Sequence, residues 1–250
     1  MSNQAGRFVW RELLTADPAA ALRYYGEVLG WKYKTVDFQG MAYHLVSAGE
    51  REVCGIMGLP PGVPVSHWAV YVGVDDVDAA ARRVTSAGGK VMMGPQDIPN
   101  IGRFAVALDP QGAAFTVFKD QVDRKLPEKA EVGQFCWEQL NTTDPAAAKA
   151  FYSAVVGWQS RPFGSTGAMD VFEWEGAPVG SVFTAPPGAP PHWATYVVVD
   201  RLADANARVT RNGGKVLMER IDVPTVGSFS VTQDPTGAVL SLFESAPPAA

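Results

Sequence analysis

Trp10-Arg11-Glu12-Leu13-Leu14-Thr15-Ala16-Asp17-Pro18 returns as Trp137-Glu138-Gln139-Leu140-Asn141-Thr142-Thr143-Asp144-Pro145. Working outward, Gly30-Trp31 returns as Gly157-Trp158, and His67-Trp68-Ala69 as His192-Trp193-Ala194. Asp109-Pro110-Gln111-Gly112 returns as Asp234-Pro235-Thr236-Gly237. The offset is 127 residues at the front and 125 further on. A repeat this long is a duplicated domain, since solenoid units run to about 20–50 residues.

Composition bounds what such a chain can do. At 250 residues, 47% hydrophobic and 19% charged, it has enough apolar sequence for two cores. The formal net charge of −5, with Lys and Arg scattered, argues against nucleic acid and against an anionic membrane surface. Met1 to Gly6 lacks a basic start with an apolar run. No apolar stretch approaches the roughly 18 residues of a spanning helix. The two cysteines, Cys54 and Cys136, occupy non-equivalent places in the repeat, which is not a disulfide framework. A reduced, cytoplasmic setting is expected, with a small-molecule partner and a monomer or homodimer.

The polar stretch 120–133, broken by Pro127, reads as a linker between domains at 7–119 and 134–244. Each domain looks double again. Phe8–Thr15 reads as a strand, and Asp17-Pro18 caps and starts a helix. Ala21, Leu22, Tyr25, Val28 and Leu29 recur at helical spacing until Gly30 stops it. Strands are predicted at Lys32–Val36, Ala42–Ala48 and Val53–Leu59, then again at His67–Val74. A second helix runs from about Asp75–Asp78 to Gly88-Gly89. Strands follow at Lys90–Met93, Phe104–Leu108 and Ala113–Phe118, the last two joined by the tight turn Asp109-Pro110-Gln111-Gly112. The pattern is βαβββ four times, an α+β class in which paired units close one sheet face into a cleft.

These residues resemble the vicinal oxygen chelate superfamily of glyoxalase I, bleomycin-resistance proteins and extradiol dioxygenases. The carrying features are Asp17-Pro18 through Tyr24-Tyr25 and Val28-Leu29 to Gly30-Trp31, with the copy Asp144-Pro145 to Gly157-Trp158. Val74-Asp75-Asp76-Val77-Asp78 leading to Gly88-Gly89, and Asp109-Pro110-x-Gly112, add to it. The resemblance implies four βαβββ units in two tandem glyoxalase/bleomycin-resistance-type domains. It also implies a divalent metal held by His, Glu or Gln on the first and last strands of each unit. Those slots fall here on Trp10 and Ala69, near Gly55–Met57 and at Thr116. In the copy they fall on Trp137 and Ala194, near Gly180–Val182 and at Ser241. An indole cannot ligate a metal, and a transition-metal site needs about three N, O or S ligands. No metal and no cofactor are therefore expected.

Strand alternation then nominates what faces the cleft. Trp10 and Glu12 go together, as do His67 and Tyr71, with Met57 and Thr116 in the last-strand slots; Trp137 and Gln139 follow in the copy. Glu12 is either a general base of raised pKa or a carboxylate paired with an arginine. His67 is either an acid–base group or an imidazole that satisfies loop carbonyls. His44, where the copy has Phe172 nearby, is a ligand contact or an exposed strand residue. Arg103, replaced by Ser228 in the copy and expected on a loop, holds an anionic ligand or is merely solvated. These asymmetries point to domain one as the working site. Two readings stand: a metal-independent protein sequestering a small aromatic or hydrophobic metabolite, or a cofactor-free enzyme rearranging one with Glu12 or His67 as acid–base.

Overall fold

The computed structural model describes residues 4–38, 40–122, 126–164 and 169–247. The first βαβββ unit is β1 (Phe8–Thr15), α1 (Pro18–Leu29), β2 (Lys32–Phe38), β3 (Met41–Ala48) and β4 (Arg51–Gly58). The second is β5 (His67–Gly73), α2 (Val77–Ser86), β6 (Lys90–Ile98), β7 (Gly102–Leu108) and β8 (Ala114–Asp120). The copy repeats them as β9 (Phe135–Thr142), α3 (Pro145–Val156), β10 (Gln159–Phe163), β11 (Met169–Trp174) and β12 (Ala177–Thr184). Its last unit is β13 (His192–Val198), α4 (Leu202–Arg211), β14 (Lys215–Val223), β15 (Gly227–Gln233) and β16 (Val239–Ser245). Each half of the sequence forms one eight-stranded sheet, in the order β2-β3-β4-β1-β5-β8-β7-β6 and its equivalent. First and last strands of each unit lie parallel, as in Glu12 beside Gly55 and Tyr71 beside Thr116; the hairpin strands are antiparallel.

Local chemistry explains the helix ends. The Asp17 carboxylate accepts the Ala20 N–H at 2.9 Å, Pro18 opens α1, and Gly30 ends it at φ 70°. Asp144, Pro145 and Gly157 repeat this on α3. Asp76 caps α2, but the copy has Arg201, which makes no side-chain cap. The Leu202 N–H is instead taken by Glu244 Oε2 at 2.6 Å. Glu244 stands where the first copy has Lys119, so one exchange compensates the other. Arg83 Nε donates to Val155 O and Arg208 Nε to Val28 O, each neutralising carbonyls in a helix's last turn.

Packing divides the chain differently from hydrogen bonding. One compact unit takes in Met1–Trp10, Ala69–Pro127 and Glu138–Ala194; the other takes in Arg11–Trp68, Glu128–Trp137 and Thr195–Ala250. Each repeat thus contributes to both. In the first unit, Val70, Val72, Phe115 and Val117 of one repeat share a core with Phe151, Val155 and Phe172 of the other. In the second, Leu13, Val28 and Ile56 share a core with Val197, Leu202 and Leu242.

The recurrent residues lie at the centre of these cores. In the second unit, Tyr25 donates to Asp234 Oδ2 at 3.0 Å and accepts from Trp68 Nε1 at 3.3 Å, while Trp31 Nε1 reaches Gly133 O at 2.7 Å. In the first unit, Tyr152 donates to Asp109 Oδ2 at 3.3 Å and accepts from Trp193 at 3.0 Å, while Trp158 reaches Gly6 O at 2.7 Å. Each of these buried aromatic tips has a partner, which is what lets side chains this large be enclosed. These recurrent tyrosines and tryptophans, with Asp109 and Asp234, are therefore folding devices.

Candidate functional site

Parity separates two faces on β1 and β4. Leu13 and Ile56 are fully buried against α1. The opposite face carries Trp10, Glu12 and Leu14, with Gly55 beside Glu12 and Met57 beside Leu14. Trp10, Leu14 and Met57 are half-buried, whereas Glu12 keeps only 8% of its surface exposed. Glu138 is more deeply enclosed at 2%, but its parity puts it with Leu140 on the helix side.

Gly55 leaves room for another residue. A Cβ built there would lie 1.9 Å from the Tyr43 hydroxyl, so the phenol passes directly over residue 55 beside Glu12. Tyr43 was not a sequence candidate; a glycine facing an aromatic one strand away was the available signal. His44 lies on the other face, because it pairs with Ile56. Its Nδ1 is 2.9 Å from Thr35 Oγ1, its ring meets Tyr33 edge-on, and partial burial lowers its pKa. His44 is thus corrected from a cleft residue to an outer-strand residue. Its counterpart by register is Asp170, which pairs with Val182 and binds Lys149; Phe172 instead matches the core position Val46.

His67 lies at the start of β5 on the face opposite buried Trp68, and its Nδ1 is 3.0 Å from Val65 O. Ser66 ties this corner to the end of β1, accepting the Ala16 N–H at 3.0 Å. Further along β5, Tyr71 and its neighbour Thr116 share a face with Phe118, 6.0 Å from the Tyr71 ring.

Arg103 is on β7 rather than a loop, and its donors are committed. Nε and Nη2 grip Asp78 at 2.8 and 3.0 Å, and Nη1 meets Asp97 at 2.9 Å. The pairing holds the Asp78 carboxyl below its usual range. This corrects the expectation that Arg103 receives an anionic ligand: its fork is already filled. Arg103→Ser is expected to leave ligand affinity within about twofold, less than 0.5 kcal/mol. A tenfold loss in a binding titration would restore Arg103 to the site.

In the copy, the face of Trp137 carries a chain of amides. Gln139 Nε2 donates to Asn141 Oδ1 at 2.9 Å, and Asn141 Nδ2 lies 3.3 Å from His192 Nε2. His192 Nδ1 is 2.8 Å from Pro190 O. Tyr196, beside Ser241, has its phenol pushed up to about 12 by burial, partly offset by the Ser241 hydrogen bond.

The residues present do not fit a chelated transition metal. The slots hold Trp10, Ala69, Gly55 to Met57 and Thr116, and among the described residues no three His, Cys, Asp or Glu side chains gather.

Residues 7–117 match the family model of the Glyoxalase/Bleomycin resistance protein/Dioxygenase superfamily, and residues 137–243 match that of the glyoxalase-like domain. CFP32 of Mycobacterium tuberculosis, whose name carries a provisional glyoxylase assignment, is 36% identical over 248 residues, 95% of this chain and 94% of that protein. The anthracycline biosynthesis protein DnrV of Streptomyces peucetius is 33% identical, covering 96% of this chain and 93% of that protein. Among solved structures, the Mn(II)-bound glyoxalase from Novosphingobium aromaticivorans aligns at TM-score 0.63 and 17% identity, over 98% of this chain and 83% of that one. The 2,3-dioxygenase LapB from Pseudomonas sp. KL28 aligns at 0.66 and 12%, over 99% and 96%. With both repeats matched and the βαβββ topology present four times, the chain belongs to the glyoxalase/bleomycin-resistance/dioxygenase (vicinal oxygen chelate) superfamily, as two glyoxalase-type domains in tandem.

Proposed function

We propose that the protein binds a small aromatic or hydrophobic metabolite without a metal, chiefly through domain one, and sequesters it unchanged. One observation carries this reading. The face shared by β1 and β4 presents the Trp10 indole, Leu14, Met57 and the enclosed Glu12 carboxylate, and the β1 position that the family resemblance assigns to a metal ligand holds Trp10. Apolar area with a few polar groups is the usual make-up of a small-molecule site. A relative named for anthracycline biosynthesis suits the same reading, since an indole such as that of Trp10 offers a flat face for a fused aromatic ring.

The burial of Glu12 favours a second reading, in which that carboxylate moves a proton in a cofactor-free rearrangement with His67 as partner. Tryptophan fluorescence titration with an anthracycline, in the presence of a chelator, separates the two. Saturable binding is expected with EDTA present, and Trp10→Ala should weaken it about tenfold, roughly 1.4 kcal/mol. Trp137→Ala should have a smaller effect. Recovery of unaltered ligand after long incubation supports sequestration. Product formation that stops in Glu12→Gln with affinity kept favours catalysis. Binding lost to the chelator would overturn metal independence.

A further inference from the structure

The two histidines that open β5 and β13 are held alike at one ring nitrogen and treated differently at the other. His67 Nδ1 is 3.0 Å from Val65 O, and His192 Nδ1 is 2.8 Å from Pro190 O. A carbonyl can only accept, so each Nδ1 carries the hydrogen. In the neutral ring, Nε2 is then a lone-pair acceptor. In the copy that lone pair is closed by the Asn141 amide at 3.3 Å, and Gln139 holds Asn141 in place from behind at 2.9 Å. The residue at the Asn141 position of the first repeat is Leu14, which has no donor. Among the described residues, Val65 O is the one hydrogen-bond partner of the His67 ring.

We propose that His67 Nε2 is a preset acceptor for the hydroxyl hydrogen of an aromatic alcohol, and that Asn141 closes the equivalent acceptor of His192. This rests on the small-molecule reading of domain one and narrows its ligand to a phenol or enol. The oriented ring costs no rearrangement when the ligand arrives, because the Val65 carbonyl has already chosen the tautomer. Leu14 serves twice: it leaves Nε2 open and adds apolar surface beside Met57. The repeat supplies its own control, since a single amide separates an open imidazole from a closed one.

Two measurements on the full chain test this. The first needs no ligand: diethyl pyrocarbonate acylates an imidazole nitrogen lone pair, and peptide mass spectrometry resolves His44, His67 and His192. His67 should label at least several-fold faster than His192. Asn141→Leu should raise His192 toward the His67 rate, and Leu14→Asn should slow His67. Equal rates for His67 and His192 in the unaltered protein would overturn the proposal. The second compares 2-hydroxyanthraquinone with its methyl ether, which lacks the donor. The phenol should bind about tenfold more tightly, and His67→Phe and Leu14→Asn should each erase the difference. Trp10→Ala should weaken both probes in parallel. Equal affinity of phenol and ether in the unaltered protein overturns the acceptor role and leaves the binding function standing. Failure of both probes to bind overturns the two together.

Discussion

Asp109→Ala is expected to lower the free energy of unfolding by about 3–5 kcal/mol, as several hydrogen bonds to a buried charged acceptor are lost together. Asp109 is 3% exposed. Its Oδ1 accepts the backbone N–H groups of Gln111, Gly112 and Ala113 at 3.0, 2.8 and 2.8 Å, and Oδ2 accepts the Tyr152 hydroxyl. Gly112 keeps a second acceptor in Asp109 O, but no other hydrogen bond is seen for the amides of Gln111 and Ala113 among the described residues. Leaving such donors unpaired costs more than the bonds were worth while made. Tyr152→Phe removes the last of these contacts together with the acceptor of Trp193 Nε1, and should cost about 2 kcal/mol. Asp234→Ala should behave like Asp109→Ala, because Asp234 receives Thr236, Ala238 and Tyr25 in the same way. Urea unfolding followed by far-ultraviolet circular dichroism gives the comparison. An Asp109→Ala protein within about 1 kcal/mol of the parent, the ordinary scale of a surface change, would show that the turn forms without its carboxylate.

Alkali is expected to unfold the protein cooperatively, with tyrosine as the trigger. Burial raises the phenol pKa values of Tyr24, Tyr25, Tyr152 and Tyr196 above the usual 10, and Asp234 adds to the rise at Tyr24 and Tyr25. The unfolded chain therefore ionises these groups first. Their contribution to stability is complete below pH 10 and is lost as pH climbs toward the folded values. Each phenol removes about 1.4 kcal/mol per pH unit in that window, so four together remove about 5. A domain stability of about 5–15 kcal/mol would be consumed within about one to three units above pH 10. Absorbance of tyrosinate near 295 nm should rise for these four only as circular dichroism is lost. Tyr25→Phe should make the stability slope shallower by about a quarter. Gradual ionisation of all seven tyrosines with the circular dichroism intact would refute the burial argument.

Much of the fold was legible because its signals are local. An aspartate followed by proline starts α1 and α3, a glycine in the left-handed region ends them, and the Asp-Pro-x-Gly turns join their hairpins. These depend on a few consecutive residues, so both copies could be read alike. That Trp10, Glu12 and Leu14 share one face of β1 follows from alternation along the strand. Alternation by itself could not place His44. It sets which strand neighbours share a face but not which face the strand presents, and β3 also shifts register between Val46 and Ser47. The count that matched His44 to Phe172 slipped by two for a related reason: the repeats differ in length between strands, and only hydrogen-bond register aligns His44 with Asp170. Arg103 was misread because its partners are distant in sequence; Asp78 is 25 residues away, on the first turn of α2.

By itself the sequence determined that there are two copies of a doubled βαβββ unit and where their helices begin and stop. Those facts follow from residue identity and short spacing, which any register of the chain would preserve. Tertiary structure alone decided what the repeated aromatics are for. Tyr25 finds Asp234 across 209 residues, and each core is drawn from both repeats, so Tyr25, Trp31 and Trp68 and their copies Tyr152, Trp158 and Trp193 lock the repeats into common cores. Among the described residues it also decided that the Asn141 amide meets His192 Nε2 while the first repeat has Leu14 at that position. That difference lies in whether a neighbouring strand offers an amide or an isobutyl group, and pairing between strands is set by the closure of the whole sheet.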